Sequence, residues 1–235
     1  MWRRARWATL LLACSLAACS DSGLMSTTTA NTVDTPATAA ASTSTSTTTA
    51  AISSTTLPPE PHRVFPVQDA AHSSFADEHH DYPAADIFTA HGCGAPLVAP
   101  VDGVVLEVNR VDEYKGGTGG PAARGGISLA IRGNDGVRYY MAHFRALEEF
   151  LTPGLAITAG TIVGQMGRTG RAGACHLHFA LSPICPNPDW WVRRGVIWPQ
   201  HYLRDWKQGI ETSPVAEIQT WSAANPDICS TPATN

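Results

Sequence analysis

The folded part of this chain is predicted to be mainly β, on three observations. Beyond residue 61 the sequence is rich in glycine, proline and β-forming residues and poor in stretches with a helical period, which reads as short strands separated by turns. Val104, Leu106 and Val108 recur at every second position, a spacing that places them on one face of a strand. Gly133-Asn134-Asp135-Gly136 lies between two β-prone runs, a strong hairpin signal.

The chain has 235 residues and a formal charge of −4, with no basic stripe; no nucleic-acid partner is expected. Its residues are unevenly distributed. Arg3, Arg4 and Arg6 precede a short apolar core over residues 9–18, the layout of a secretion signal too short to span a bilayer permanently. The segment ends in Leu16-Ala17-Ala18-Cys19, which resembles a bacterial lipobox. That resemblance implies a mature protein starting at an acylated Cys19, exported and lipid-anchored to the membrane on its cell-wall side; more than one acyl chain gives stable anchoring. A simple cleaved signal is the alternative. Residues 20–61 are Ser, Thr, Ala and Pro with almost no large apolar residue. Such a segment cannot bury enough surface to offset chain ordering, so a disordered tether is expected, with a root-mean-square span of roughly 35 Å. Residues 62–235 are expected to form one domain.

Within that domain, residues 65–75 read as an irregular lead segment. Strands are expected at 84–88, 97–99, 104–110, 127–132, 137–143, 161–166 and 173–181, with turns at 92–96 and 100–103 and a glycine-rich loop at 111–126. Residues 144–151 read as one or two helical turns with Glu148 and Glu149 on a solvated face. Beyond Pro183 lies a tail carrying Trp190, Trp191, Trp198, Trp206 and Trp221, with short helices expected at 199–207 and 214–222. Its aromatic density marks either a ligand groove or an appendage packed on a sheet.

The chemistry centres on His176-Leu177-His178. On a strand, alternate side chains share a face, so the two imidazoles flank one small volume, with Cα atoms roughly 6.5–7 Å apart. One can hold a metal while the other handles a proton. A zinc hydrolase needs three protein ligands and an open position for water. Candidate donors are His79, His80, Asp86, His143 and the two strand histidines. One aspartate and two histidines leave zinc with a net positive charge, enough to activate water near neutral pH. The sequence has no HExxH pattern, so histidine must serve as the base. His62, His72, His91 and His201 read as surface residues.

Taken in order, His80…Asp86-Ile87, Gly94-Ala95-Pro96, Asp102-Gly103-Val104-Val105, Ala142-His143 and His176-Leu177-His178-Phe179 resemble the lysostaphin-type, or LytM-domain, zinc metallopeptidases that cut peptidoglycan peptides. Gly167-Arg168-Thr169-Gly170 resembles that family's glycine-rich lead-in. The resemblance covers about residues 77–181. It implies a compact antiparallel β-sheet domain of the duplicated-hybrid-motif type, monomeric, acting on peptidoglycan peptides. It implies one Zn2+ ion held by His80, Asp86 and His178, with His143 and His176 acting on protons and the oxyanion. The chain departs from the family twice. His80 and Asp86 stand two residues further apart than the usual H-x-G-x-D, so the residues between must loop out, and His79 competes as first donor. Met141 occupies the position where tyrosine is usual, with Tyr139 and Tyr140 before it. A non-catalytic wall-binding module or amidase activator on the same fold is the rival; the presence of all five polar positions favours an enzyme.

Cys14 leaves with the signal. Cys93, Cys175, Cys185 and Cys229 remain, an even number in an exported protein, so two disulfides are expected. Cys175 is an odd step from His178 and faces away from it. Cys93 and Cys185 each lie seven residues past a proposed ligand. Neighbouring strands running the same way would pair Cys93 with Cys185 and leave Cys175 for Cys229.

Overall fold

The computed structural model describes residues 60–186 and 189–229; the signal, Cys19 and nearly all of the tether lie outside them. In chain order the described residues form β1 (Ser73–Ser74), β2 (Ala85–Thr89), β3 (Pro96–Val98), β4 (Gly103–Asn109), a 3-10 turn (Ala122–Gly125), β5 (Ser128–Gly133) and β6 (Val137–Ala142). They continue with β7 (Phe144–Leu147), β8 (Ala156–Ile157), β9 (Ile162–Met166), β10 (Leu177–Pro183), α1 (Trp190–Arg193), α2 (Gln200–Lys207) and α3 (Val215–Ala224). The strands make two sheets, in the orders β1-β2-β10-β6-β5-β4-β8 and β3-β9-β7, and all pairings between these strands are antiparallel. The expected mainly β, antiparallel class is what forms. Among the described residues, no helix is long and apolar enough to cross a membrane.

The β5–β6 hairpin closes where the sequence signals it. Gly136 takes φ +79° and donates its N–H to Gly133 at 2.9 Å, while Asp135 accepts from the Val137 N–H at 3.0 Å. Alternation then sorts two faces. Leu129, Ile131, Tyr139, Met141, Leu177, Phe179 and Leu181 turn inward with Leu97, Phe144 and Val163 of the smaller sheet, all fully buried. Burying each large apolar side chain contributes about 2 kcal/mol. The opposite face is paved with Ala84, Ala130, Ala142 and Ala180 around Tyr140. Small residues there keep the sheet surface low, leaving room for a cleft.

The tail belongs to the core. Tyr202, Leu203 and Trp206 of α2 and Ile218 of α3 are buried in the main cluster, with the Trp206 ring 6.0 Å from Phe179 and 6.2 Å from Tyr139. Arg63, whose side chain is 2% exposed, ties the lead segment to the hairpin through Asp135 at 2.9 Å and to the tail through Ser213 at 3.1 Å.

Three expectations are corrected. Residues 144–147 form β7, not a helical turn, because the chain leaves β6 at His143 with φ +67° and pairs with β9 instead, Phe144 opposite Met166. On β4 the buried side chain is that of Val105; Val104, Leu106 and Val108 are half-buried, and the pairing with β5 shifts register between Val105 and Glu107. The disulfides are Cys93–Cys175 and Cys185–Cys229, not Cys93–Cys185 and Cys175–Cys229. Strands β2 and β10 run antiparallel, Ile87 opposite Leu177, so the chain past Asp86 travels toward the residues before His178, where Cys175 waits. Cross-linking residues 82 apart in sequence restricts the unfolded chain, so a Cys93→Ser/Cys175→Ser variant is expected to lose about 2–4 kcal/mol, read from its midpoint in denaturant unfolding.

Candidate metal centre

Asp86 on β2 and His178 on β10 are direct cross-strand neighbours on the alanine-paved face, with Ala142 of β6 on the other side of His178. This registry sets His178 Nδ1 3.1 Å from Asp86 Oδ1. His176 stands just before β10, where its N–H donates to Gly167 at 3.2 Å; its Nε2 is 3.5 Å from the same carboxylate oxygen. His79 arrives from the loop ahead of β2, and its Nε2 is also 3.5 Å from that oxygen. His79, Asp86 and His178 offer one ligand atom each, all within 4.8 Å of one another. Zinc–donor bonds of roughly 2.0–2.2 Å in a tetrahedron separate donors by about 3.3–3.6 Å, so the cluster fits a single ion.

His80 does not join this cluster. It sits exposed at the cleft rim, its ring 5.0 Å from that of His79. His79 is half-buried and turns in, while His80 is exposed. The Tyr82 ring packs against His79 at 4.4 Å and selects it. The extra residues before Asp86 do loop out, over Tyr82 and Pro83.

Backbone carbonyls lie beside one nitrogen of each of three rings. A carbonyl only accepts, so the nitrogen facing it carries the proton. His178 lies between two acceptors, the Arg194 carbonyl 3.4 Å from its Nε2 and the Asp86 carboxylate 3.1 Å from its Nδ1. His143 Nδ1 donates to Thr169 at 2.7 Å and His176 Nδ1 to Ala174 at 2.9 Å, leaving both Nε2 atoms as acceptors. With Nε2 directed at the Arg194 carbonyl, a cation between Asp86 and His178 would take the Nδ1 lone pair in place of a proton. That donor arrangement suits a divalent ion, and partners of this kind orient metal-binding imidazoles.

His143 reaches the site by an unusual route. Strand alternation would send it inward with Met141. Its left-handed backbone turns the ring back, 4.7 Å from His176 and 5.9 Å from His178. A non-glycine residue in this region is strained, a feature that clusters at functional sites. The same turn explains the tyrosine departure. Met141 faces the core, while Tyr140, three residues before His143, lies on the site face 6.2 Å from His178. A Cβ on Gly125 would sit 2.2 Å from the Tyr140 hydroxyl, so that residue must be glycine for the hydroxyl to fit.

The electrostatics follow from burial. Desolvation lowers His79 to about 4, with Asp86 opposing it. Desolvation, with His178 and His176 nearby, lowers His143 to about 3. Burial works to raise Asp86, but its hydrogen bond to His178 and the adjacent imidazoles win and hold it at about 2. Both histidines therefore bind protons more weakly folded than unfolded, where they titrate near 6.5. Their stabilising effect is full above that value and is lost as pH falls through about 4 and then about 3;. Asp86 keeps its effect until lower pH, losing it through about 2. The metal-free protein is thus expected to lose stability steadily between pH 6.5 and 4, read from urea midpoints by tryptophan fluorescence; a flat profile would contradict these environments.

These groups line a cleft of about 650 Å³ that also exposes Phe88, Tyr82, Trp190 and three arginines. The Phe88 ring stacks on His176 at 5.3 Å. His62, His72, His91 and His201 lie elsewhere, each beside a surface carboxylate.

Fold and site together define an antiparallel β-sheet domain with a histidine–aspartate cluster on one sheet face. Over residues 83–187 the chain matches the model of peptidase family M23. No curated protein sequence matches it significantly. Among solved structures, the catalytic domain of the antimicrobial peptidase lysostaphin from Staphylococcus simulans is similar at 22% identity and TM-score 0.45, over 59% of this chain and 97% of its own. A putative glycyl-glycine endopeptidase lytM from Ruminococcus gnavus is similar at 20% identity and TM-score 0.42, over 58% of this chain and 64% of its own. A zinc-containing peptidase from Vibrio cholerae is similar at 22% identity and TM-score 0.40, over 52% of this chain and 37% of its own.

Proposed function

We propose that this chain is a zinc-dependent endopeptidase that hydrolyses peptide bonds in peptidoglycan stem or cross-bridge peptides. The observation that carries this is the convergence of His79 Nε2, His176 Nε2 and His178 Nδ1 on one oxygen of Asp86. We assign His79, Asp86 and His178 to one zinc ion; when bound there, the ion supplies Lewis acidity toward the scissile carbonyl and toward water. His176 and His143 remain free to act on protons. Their Nε2 atoms are acceptors, each with its Nδ1 tied to a carbonyl. One takes the proton of the attacking water and passes a proton to the leaving amine, and a protonated ring steadies charge on the carbonyl oxygen. The start of the sequence supports export and acylation at Cys19, which would hold a monomeric domain beside the wall on its tether.

The test is digestion of purified wall by the zinc-loaded protein, with new amines counted and fragments weighed by mass spectrometry. Fresh amino groups that vanish with a chelator are expected. A wall left intact by protein that carries zinc would overturn the proposal in favour of a binding module or amidase activator.

A further inference from the structure

One end of the cleft is closed by the tail. Past Tyr140 the site face is roofed by α1: the Trp190 ring meets Tyr140 edge-on at 5.9 Å, and the Arg193 carbonyl accepts from Arg138 at 3.0 Å. Gly195 lies against the sheet so closely that a Cβ there would stand 2.0 Å from the Pro83 carbonyl and 3.0 Å from Ala180. Arg138 and Ala180 are fully buried as a result.

At the closed end stands Arg194. Its guanidinium carbon lies 3.6 Å from the Tyr82 ring centre and 4.2 Å from that of Trp191. Its Nε is buried and has no hydrogen-bond partner among the described residues. Arg124 lines the same cleft, close enough to act on Arg194 as a like charge, and Asp81 is the acidic group nearby. Stacking on aromatic rings fixes a guanidinium plane and leaves its edge for a planar anion. Two guanidinium groups facing one cleft favour an anion between them.

We propose that Arg194, with Arg124, anchors a free carboxylate of the substrate peptide beside the scissile bond, on the side where the cleft ends. The preferred class is a peptide whose residue on that side is a chain terminus or bears a side-chain carboxylate, such as a diamino dicarboxylic acid. The assignment rests on the cleft being a peptide site. Arg194 acts as a specificity-determining residue, with a carboxylate held by its paired N–H donors.

The test uses the full zinc-loaded chain and three matched wall peptides: unmodified, amidated at the C-terminus, and amidated on the side-chain carboxylate of the diamino dicarboxylic acid. Binding is measured by calorimetry. One amidation is expected to weaken binding roughly 10- to 100-fold, and which one does so identifies the source of the carboxylate. Arg194→Gln should bind all three alike while keeping its zinc, and Arg194→Lys should restore part of the preference. Arg124→Gln, on an exposed side chain, should reduce the preference several-fold without disturbing the fold. A wild type that binds the three alike, or binds none, overturns the proposal, as does a preference that survives in Arg194→Gln. Amine release on the same peptides separates the two ideas. Preferential binding without cleavage would sink the endopeptidase assignment and leave the carboxylate anchor; cleavage without preference would do the reverse.

Discussion

Replacing His178 by alanine is expected to leave the protein without its divalent ion and without hydrolytic activity. His178 is the hinge of the cluster. It faces Asp86 across the strand pair at 3.1 Å, and its other nitrogen is held by the Arg194 carbonyl. Removing the ring leaves His79 and Asp86 as two donors, too few for a structural grip on zinc. Metal analysis should fall from about one ion per chain to almost none, and the activity loss should exceed the 10- to 100-fold typical of supporting partners. His79→Ala should behave the same way and His80→Ala should keep the ion. If His80→Ala loses zinc while His79→Ala retains it, the donor assignment is wrong.

His143→Ala should have the opposite signature: zinc retained, turnover reduced by about 10²- to 10⁴-fold, the usual worth of a positioned proton-transfer group. The backbone provides an internal control. At φ +67° an alanine Cβ still meets the following carbonyl, at a cost of about 1 kcal/mol relative to glycine. His143→Gly should therefore match the alanine variant in turnover yet unfold at higher denaturant. Full hydrolysis by either variant would remove His143 from the mechanism.

Much of the fold could be read from local patterns. Alternation and turn chemistry located most strands, because period-two burial and the Gly133–Gly136 turn are local properties. What could not be read was direction and handedness. Nothing in the spacing of Cys93 and Cys185 says whether β2 and β10 run the same way, and the antiparallel pairing reassigned both disulfides. Residues 144–151 carry Arg, Ala, Leu and Glu, good helix formers, yet Phe144 and Leu147 are buried at the ends of an edge strand; tertiary pairing outweighs propensity there. At the site, Asp86, His176 and His178 were legible because strand periodicity places them. His79 was not separable from His80, since a loop has no period. Tyr140 escaped because a left-handed histidine reverses the alternation, and no residue type announces that. Arg194 sits in the tail, where nothing in the sequence ties it to the strand histidines.

The segment that the family model matches starts at Pro83 and stops at residue 187. His79 precedes it, and the Arg194 carbonyl that orients His178 follows it. The histidine–aspartate cluster and its supports thus extend beyond the matched segment. A fragment trimmed to those limits would forfeit one donor, uncouple another and strip Trp206 from the core. Grafting or domain-swapping work on this chain should instead cut before residue 60 and retain the helical tail through Cys229.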